Sequence, residues 1–167
     1  MDSVRHVQVR ATPAGPIQQT LRAPFTAETW RRTAYALLAL PLGLICVPLS
    51  LLGAPTARWQ RNLLRRFLHT EVPGTARGGG LRHALLTVPL NLVTAFVALY
   101  GWAIVPLNLG WPVRAGSDYS GAWGGPTFVG AWAFHAIVGG IGFLLLMPWV
   151  VRGLTAVQLR VARSLLS

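Results

Sequence analysis

The chain has 167 residues, 53% of them hydrophobic and only 11% charged, and a mean hydropathy of +0.49. Soluble domains carry about 25% charged residues, so the composition points away from an ordinary water-soluble fold. The net charge of +11 comes from fifteen basic residues, all Arg, against four acids. These Arg residues flank apolar runs, where topology signals and headgroup contacts belong. No compact basic domain is left to hold a duplex, so nucleic acid is not an expected partner.

Residues 1–24 carry Pro13, Pro16 and Pro24 and show no apolar periodicity. They are predicted to form a disordered cytoplasmic tail. Residues 25–167 are predicted to form one membrane domain. Trp30 suits a headgroup-level anchor, and Arg31 and Arg32 suit the cytoplasmic side. Three uncharged runs follow, at 33–57, 84–113 and 119–151, with lengths of 25, 30 and 33 residues. A crossing helix needs about 20 apolar residues to span about 30 Å of hydrocarbon. The membrane segments are placed at about 33–57, 84–108 and 128–151. Multi-pass insertion in the cell membrane, with the lipid bilayer as first partner, is the expectation.

The first run contains Pro41, Pro48 and Pro55, and each proline removes a backbone donor and bends a helix. Cys46 is the only cysteine, so no intramolecular disulfide forms. Residues 58–69 (RWQRNLLRRFLH) are amphipathic. Trp59, Leu63, Leu64, Phe67 and Leu68 take one half of the wheel. Arg58, Arg61, Asn62, Arg65, Arg66 and His69 take the other, and Gln60 is the misfit. Residues 152–167 repeat the design, with Leu154, Val157, Val161 and Leu165 in one stripe and Arg152, Arg160 and Arg163 opposite. Such helices lie in the headgroup region. The seven arginines Arg58, Arg61, Arg65, Arg66, Arg152, Arg160 and Arg163 are therefore candidate headgroup contacts. The tail spacing also suits a homodimer seam, although fewer than two heptads are present.

Shifting the chain by 48 residues aligns YALLALPLGLI, from Tyr35, with HALLTVPLNLV, from His83; six of the eleven positions are identical, Pro41 and Pro89 among them. Each half also ends in an Arg-bearing amphipathic stretch soon after a proline. The predicted fold is an all-α integral membrane protein built from helical hairpin repeats with Arg-rich interfacial helices. Five Arg precede the first run, six lie from Arg58 to Arg82, Arg114 stands alone, and three follow the last run. The positive-inside rule puts the Arg114 loop outside and the other basic stretches inside. An inside N-terminus conflicts with a full crossing by the first run. Either that run is a re-entrant, proline-bent segment, which this reading favours, or the N-terminus lies outside.

The order of these pieces resembles the actinobacterial putative sensor domain, found at the N-terminus of many histidine kinases and as standalone proteins. The matching stretches are LRAPFTAETWRRTAYALLALPLGL, ARWQRNLLRRFLH, ALLTVPLNLV and LLLMPWVVRGLTAVQLRVARSLL, which together run over residues 21–166. The first hairpin is shorter than the family's by about a span. The resemblance implies a signal-input module working on a histidine kinase or another membrane partner, because this chain carries no kinase itself.

Catalytic chemistry is not expected. The acids Asp2, Glu28, Glu71 and Asp118 are unpaired, and His6, His69, His83 and His135 follow no metal-ligand spacing. No phosphate loop or nucleophile elbow occurs, so no metal or cofactor is expected. Candidate ligand contacts cluster at the outside end: Trp111, Arg114, Asp118, Tyr119 and Trp123, with His135 inside the last run. Arg114 and Asp118 either form a weak exposed pair or bracket a ligand mouth with the aromatics. The aromatics equally suit interface anchors, and His135 equally suits a neutral hydrogen-bonded side chain. Asn91 and Asn108 are candidates for joining helices. A structural or transporter-accessory subunit without a ligand is the competing reading.

Overall fold

The computed structural model describes residues 15–74, 79–116 and 119–166, all helix, turn or coil. Its helices are α1 (Pro16–Arg22), α2 (Ala27–Leu51), α3 (Thr56–Leu68), α4 (Gly80–Leu109), α5 (Trp111–Arg114), α6 (Phe128–Phe134) and α7 (Phe143–Leu166). A 3-10 turn, Ala23–Phe25, joins α1 to α2, and a π-helical segment, His135–Gly142, joins α6 to α7. Three helices are long and apolar enough to cross a membrane: Ala27–Leu51, Gly80–Leu109 and Phe128–Leu166.

Two expectations change at the N-terminal end. Part of the stretch predicted as tail is helical. Pro16 presets the first turn of α1, and Pro24 is buried where the 3-10 turn packs on α7. Residues 1–14 lie outside the described part. The first apolar run is not re-entrant, and it does not form the first of two hairpins. α2 is one helix of 25 residues, about 37 Å long at 1.5 Å per residue. Thr26 caps it by accepting from the Thr29 amide at 3.3 Å. Pro41 and Pro48 stand inside the helix without breaking it. A proline bends a helix but does not reverse it, and neighbouring helices along most of α2 hold the bent rod in place.

α4 is the axis on which the rest is hung. α2 runs antiparallel to it, tied by Asn91 Nδ2 to the Ala39 carbonyl at 3.2 Å and by Trp102 Nε1 to Thr33 Oγ1 at 3.1 Å. α7 also runs antiparallel to α4, with Gln158 Nε2 donating to Asn91 Oδ1 at 2.7 Å. α2 and α7 are therefore parallel neighbours. The register is staggered. The start of α2 lies beside the middle of α7, where Arg32 Nη1 donates to Thr155 Oγ1 at 3.1 Å and Ala36 packs with Met147 and Val151. α6 and the π segment instead pack on the last turns of α4, Gly139 against Asn108 and Gly140 against Leu109.

α3 folds back under the bundle. Its apolar face does not point to lipid. Leu64 is buried with Tyr35, Ala39, Ala162 and Leu166, and Leu63, Phe67 and Leu68 pack against that cluster. Gln60, the misfit on the wheel, is buried and donates to the Gly80 carbonyl at 3.3 Å. At the end of α7, Arg61 Nη1 donates to the Leu166 carbonyl at 3.2 Å. Gly79, with φ +79°, brings the start of α4 against the Leu165 carbonyl, where a side chain would collide. The buried stripe of the α7 tail is Val151, Thr155, Gln158, Ala162 and Leu166, not Leu154, Val157, Val161 and Leu165. Small and hydrogen-bonding residues turn inward because they allow close approach and find partners there.

The same close packing generates a test. A Cβ on Gly139 would overlap the Asn108 amide, whereas one on Gly153 meets nothing within 4 Å. Gly139→Leu is expected to destabilise the detergent-solubilised protein by about 1–3 kcal/mol through overpacking, and Gly153→Leu to leave the melting temperature nearly unchanged. Equal melting of the two variants would refute the α4–π segment contact.

Candidate functional site

The loop end of the bundle is an aromatic cap. Thr127 caps α6 by accepting from the Gly130 amide at 3.2 Å, which aims Phe128, Trp132 and His135 back toward α4 and α5. Trp111, 7% exposed, stacks on His135 with ring centroids 4.9 Å apart. Tyr119 lies 5.8 Å from Trp111 and 5.4 Å from Phe128. Offset and edge-on rings of this kind contribute about 0.5–1.5 kcal/mol per pair beyond burial. The residues Trp111, Tyr119 and His135, singled out in the sequence, do converge.

The other candidates take different places. Trp123 is 74% exposed and lies 5.8 Å from Phe134, off the Trp111 stack. Arg114 donates Nε to the Leu107 carbonyl at 3.1 Å, satisfying an orphan acceptor at the end of α4. Asp118 lies outside the described residues. His135 Nδ1 is 2.8 Å from the Ala131 carbonyl one turn back, so this ring nitrogen is engaged within its own helix. The cap is a packed cluster, anchored to α4 by Trp132 Nε1 on the Leu109 carbonyl at 3.2 Å.

The other end holds a polar cluster that sequence reasoning passed over. Tyr35, Ala39 and Gly43 on α2 face His83, Thr87 and Asn91 on α4 around a cavity of about 20 Å³. That is room for a single water. The three pairs are the 48-residue repeat equivalents. The two segments lie against each other in opposite directions. Gly43 makes the crossing tight, because a Cβ there would sit 3.3 Å from Asn91 Nδ2. Gln60 and Gln158 complete the cluster. Gln60 Oε1, His83 Nδ1 and Gln158 Oε1 are buried without a hydrogen-bond partner, so the cluster has unused capacity of the kind a buried water or a repacked neighbour satisfies. Gln60 on the apolar half of its wheel was the one sequence signal pointing here.

Among the described residues no three His, Cys, Asp or Glu side chains come together in a way that could hold a metal ion. The arginine faces of α3 and α7 stay outward: Arg58, Arg65, Arg66, Arg152, Arg160 and Arg163 are exposed, and Arg61 is half-buried. No family model, no curated protein and no solved structure matches the chain. The likeness to the sensor domain thus rests on the sequence motifs alone.

Asn91 is the natural target for a test. It bridges α2 and α7, and its loss strands Gln158 Nε2 in a buried site. A double-mutant cycle of Asn91→Leu and Gln158→Leu, read by thermal unfolding, is expected to give a coupling of about 1 kcal/mol. Strict additivity of the two substitutions would show that the bridge contributes nothing.

Proposed function

We propose that the chain is a non-catalytic membrane sensor or signal-input module. In this reading α4 and the helix from α6 to α7 cross the bilayer as a hairpin. The aromatic cap receives a stimulus from outside or from within the membrane. The base formed by α2, α3 and the α7 tail passes it to a cytoplasmic partner such as a histidine kinase. The observation that carries the reading is the 39-residue helix Phe128–Leu166, which runs unbroken from the cap to the base. One rigid element packed at both ends is a direct physical route between them. Its π segment begins in the cap at His135, and the hydrogen-bond register there is wider than in an α-helix.

The stagger supports this depth. A slab about 30 Å thick takes about 20 helical residues. If it holds the run up to Val151, it holds the last third of α4, from about Ala98, and only the first turns of α2. Every described Arg except Arg114 then lies on one side, as the positive-inside rule requires. The sensor-domain motifs support the signalling part. The competing reading, a structural or transporter-accessory subunit, is favoured by the exposed apolar ridge of α4 at Leu85, Leu92, Phe96 and Leu99, which this depth leaves largely outside the bilayer for a partner subunit to cover.

Topology is tested with Cys46 replaced by Ala and single cysteines at Leu52, Gly121 and Ser164. On intact cells an impermeant thiol reagent is expected to label position 121 alone. Labelling at 52 would make α2 a crossing helix, and labelling at 164 would reverse the orientation. Transmission is tested by hydrogen exchange on the full chain in nanodiscs. Trp111→Ala at the cap is expected to change exchange in residues 155–166. An unchanged tail would leave the inert subunit as the better reading.

A further inference from the structure

Where the N-terminal segment meets α7, a cleft of about 270 Å³ opens beside the 3-10 turn. Four charged residues line it: Arg22, Glu28, Arg32 and Arg152. Two of them neutralise each other. Arg32 reaches Glu28 Oε1 with Nε and Nη2, each at 3.0 Å, and its Nη1 is held by Thr155. No carboxylate among the described residues pairs with Arg22 or Arg152. Two guanidinium groups thus share one cleft without a counter-charge. The planar donor fork of Arg matches the oxygens of a phosphate group.

The walls say which phosphate. Pro148 and Trp149 form the side toward the apolar run, and Trp149 is 46% exposed, as an interface anchor would be. Arg152 is the first charged residue after the run 119–151, and Ile141 and Leu146 lie exposed on the same helix before the cleft. Acyl chains could follow that surface while the headgroup enters the cleft. Ligand pockets for whole drug-sized molecules span about 300–1,000 Å³, so this cleft suits a headgroup and not a chain. We propose that it binds the phosphate of an anionic phospholipid, held between Arg22 and Arg152 with Trp149 at the glycerol level. The α1 segment is then a clasp that closes on a lipid at the inner edge of the membrane. The inference rests on the membrane reading and is independent of signalling.

The test uses the full chain. Carbonate extraction comes first, and recovery in the soluble fraction would overturn the membrane reading and the lipid site with it. The protein is then placed in phosphatidylcholine nanodiscs with added phosphatidylglycerol, and bound lipid is counted by native mass spectrometry. Arg22→Gln and Arg152→Gln are each expected to weaken retention about tenfold, as for loss of a charged hydrogen bond. Arg160→Gln, exposed and outside the cleft, is expected to stay within about twofold. Circular dichroism checks that the variants are helical, and the Lys pair, Arg22→Lys with Arg152→Lys, should restore part of the binding if the Gln pair fails to fold. Retention by a folded Gln pair equal to the parent would overturn the site. So would an equal loss in Arg160→Gln, which would mean diffuse charge attraction only. Inorganic phosphate that displaces the lipid while binding saturably itself would keep the anion site but assign it to a free phosphate.

Discussion

A single amide side chain sets the register of this bundle. Asn91 donates to the Ala39 carbonyl of α2 and accepts from Gln158 of α7, so three helices are fixed at one level. Burial of apolar surface has no direction of its own, so the register depends on close packing and on hydrogen bonds between helices. The glycines supply the first. Gly43 makes room for Asn91, and Gly101 makes room for Met147. The amide supplies the second and is directional, so it defines a depth as well as a contact. A one-turn slip of α7 would separate Gln158 from Asn91 and leave both buried without each other.

Once that level is fixed, helix length dictates the rest. α4 has 30 residues, about 45 Å, and is longer than the hydrocarbon is thick. α2 occupies its first two-thirds and the α6–π segment its last third. The first and last apolar runs therefore overlap along α4 only where Ala36 and Leu37 meet Phe143, Met147 and Val151. Arg58, Arg65, Arg66, Arg160 and Arg163 are exposed at the same level as α2. Moving that level to the membrane centre would cost about 2.5–3.5 kcal/mol per arginine even on the gentler insertion scales. Setting the bilayer around the last turns of α4 and the helix from Phe128 avoids that cost.

The sequence made the helical class, the spanning lengths and the start of α6 at Phe128 legible, because length, hydropathy and a Thr cap are local signals. The 48-residue repeat was legible as a pattern but not as an arrangement. Identical Leu residues suggested two hairpins, while the cavity the two segments share is lined by non-identical positions, Tyr35, Ala39 and Gly43 with His83, Thr87 and Asn91. α2 was misread because three prolines suggest reversal, and only its neighbours decide that the rod continues. The buried stripe of the α7 tail was misread for a related reason. Periodicity finds the most aliphatic face, and in a bundle of this composition that face is turned outward. Of the loop candidates, Trp111, Tyr119 and His135 pack together, because large aromatics beside a short loop have few places to go. The Arg114 bond to the Leu107 carbonyl was not legible, because an orphan carbonyl on α4 is invisible until the helix end is placed.

The two ends of the proposed hairpin are held by different kinds of force, and this bears on how a signal could pass. The cap is ring on ring, with several near-equivalent packings and soft geometry. The base is held by hydrogen bonds that exist in discrete pairings, and it retains unused acceptors at Gln60, Gln158 and His83. The helix from Phe128 connects them through eight π-helical residues that include Gly139, Gly140 and Gly142. Moving a π turn along a helix rotates everything beyond it relative to everything before it. A change in ring packing at Trp111 and His135 would then reach the base as a rotation of Gln158 against Asn91. The spare acceptors give the rotated side chain somewhere to bond. Bistability needs such a second set of partners, since a base with every group already satisfied would only resist.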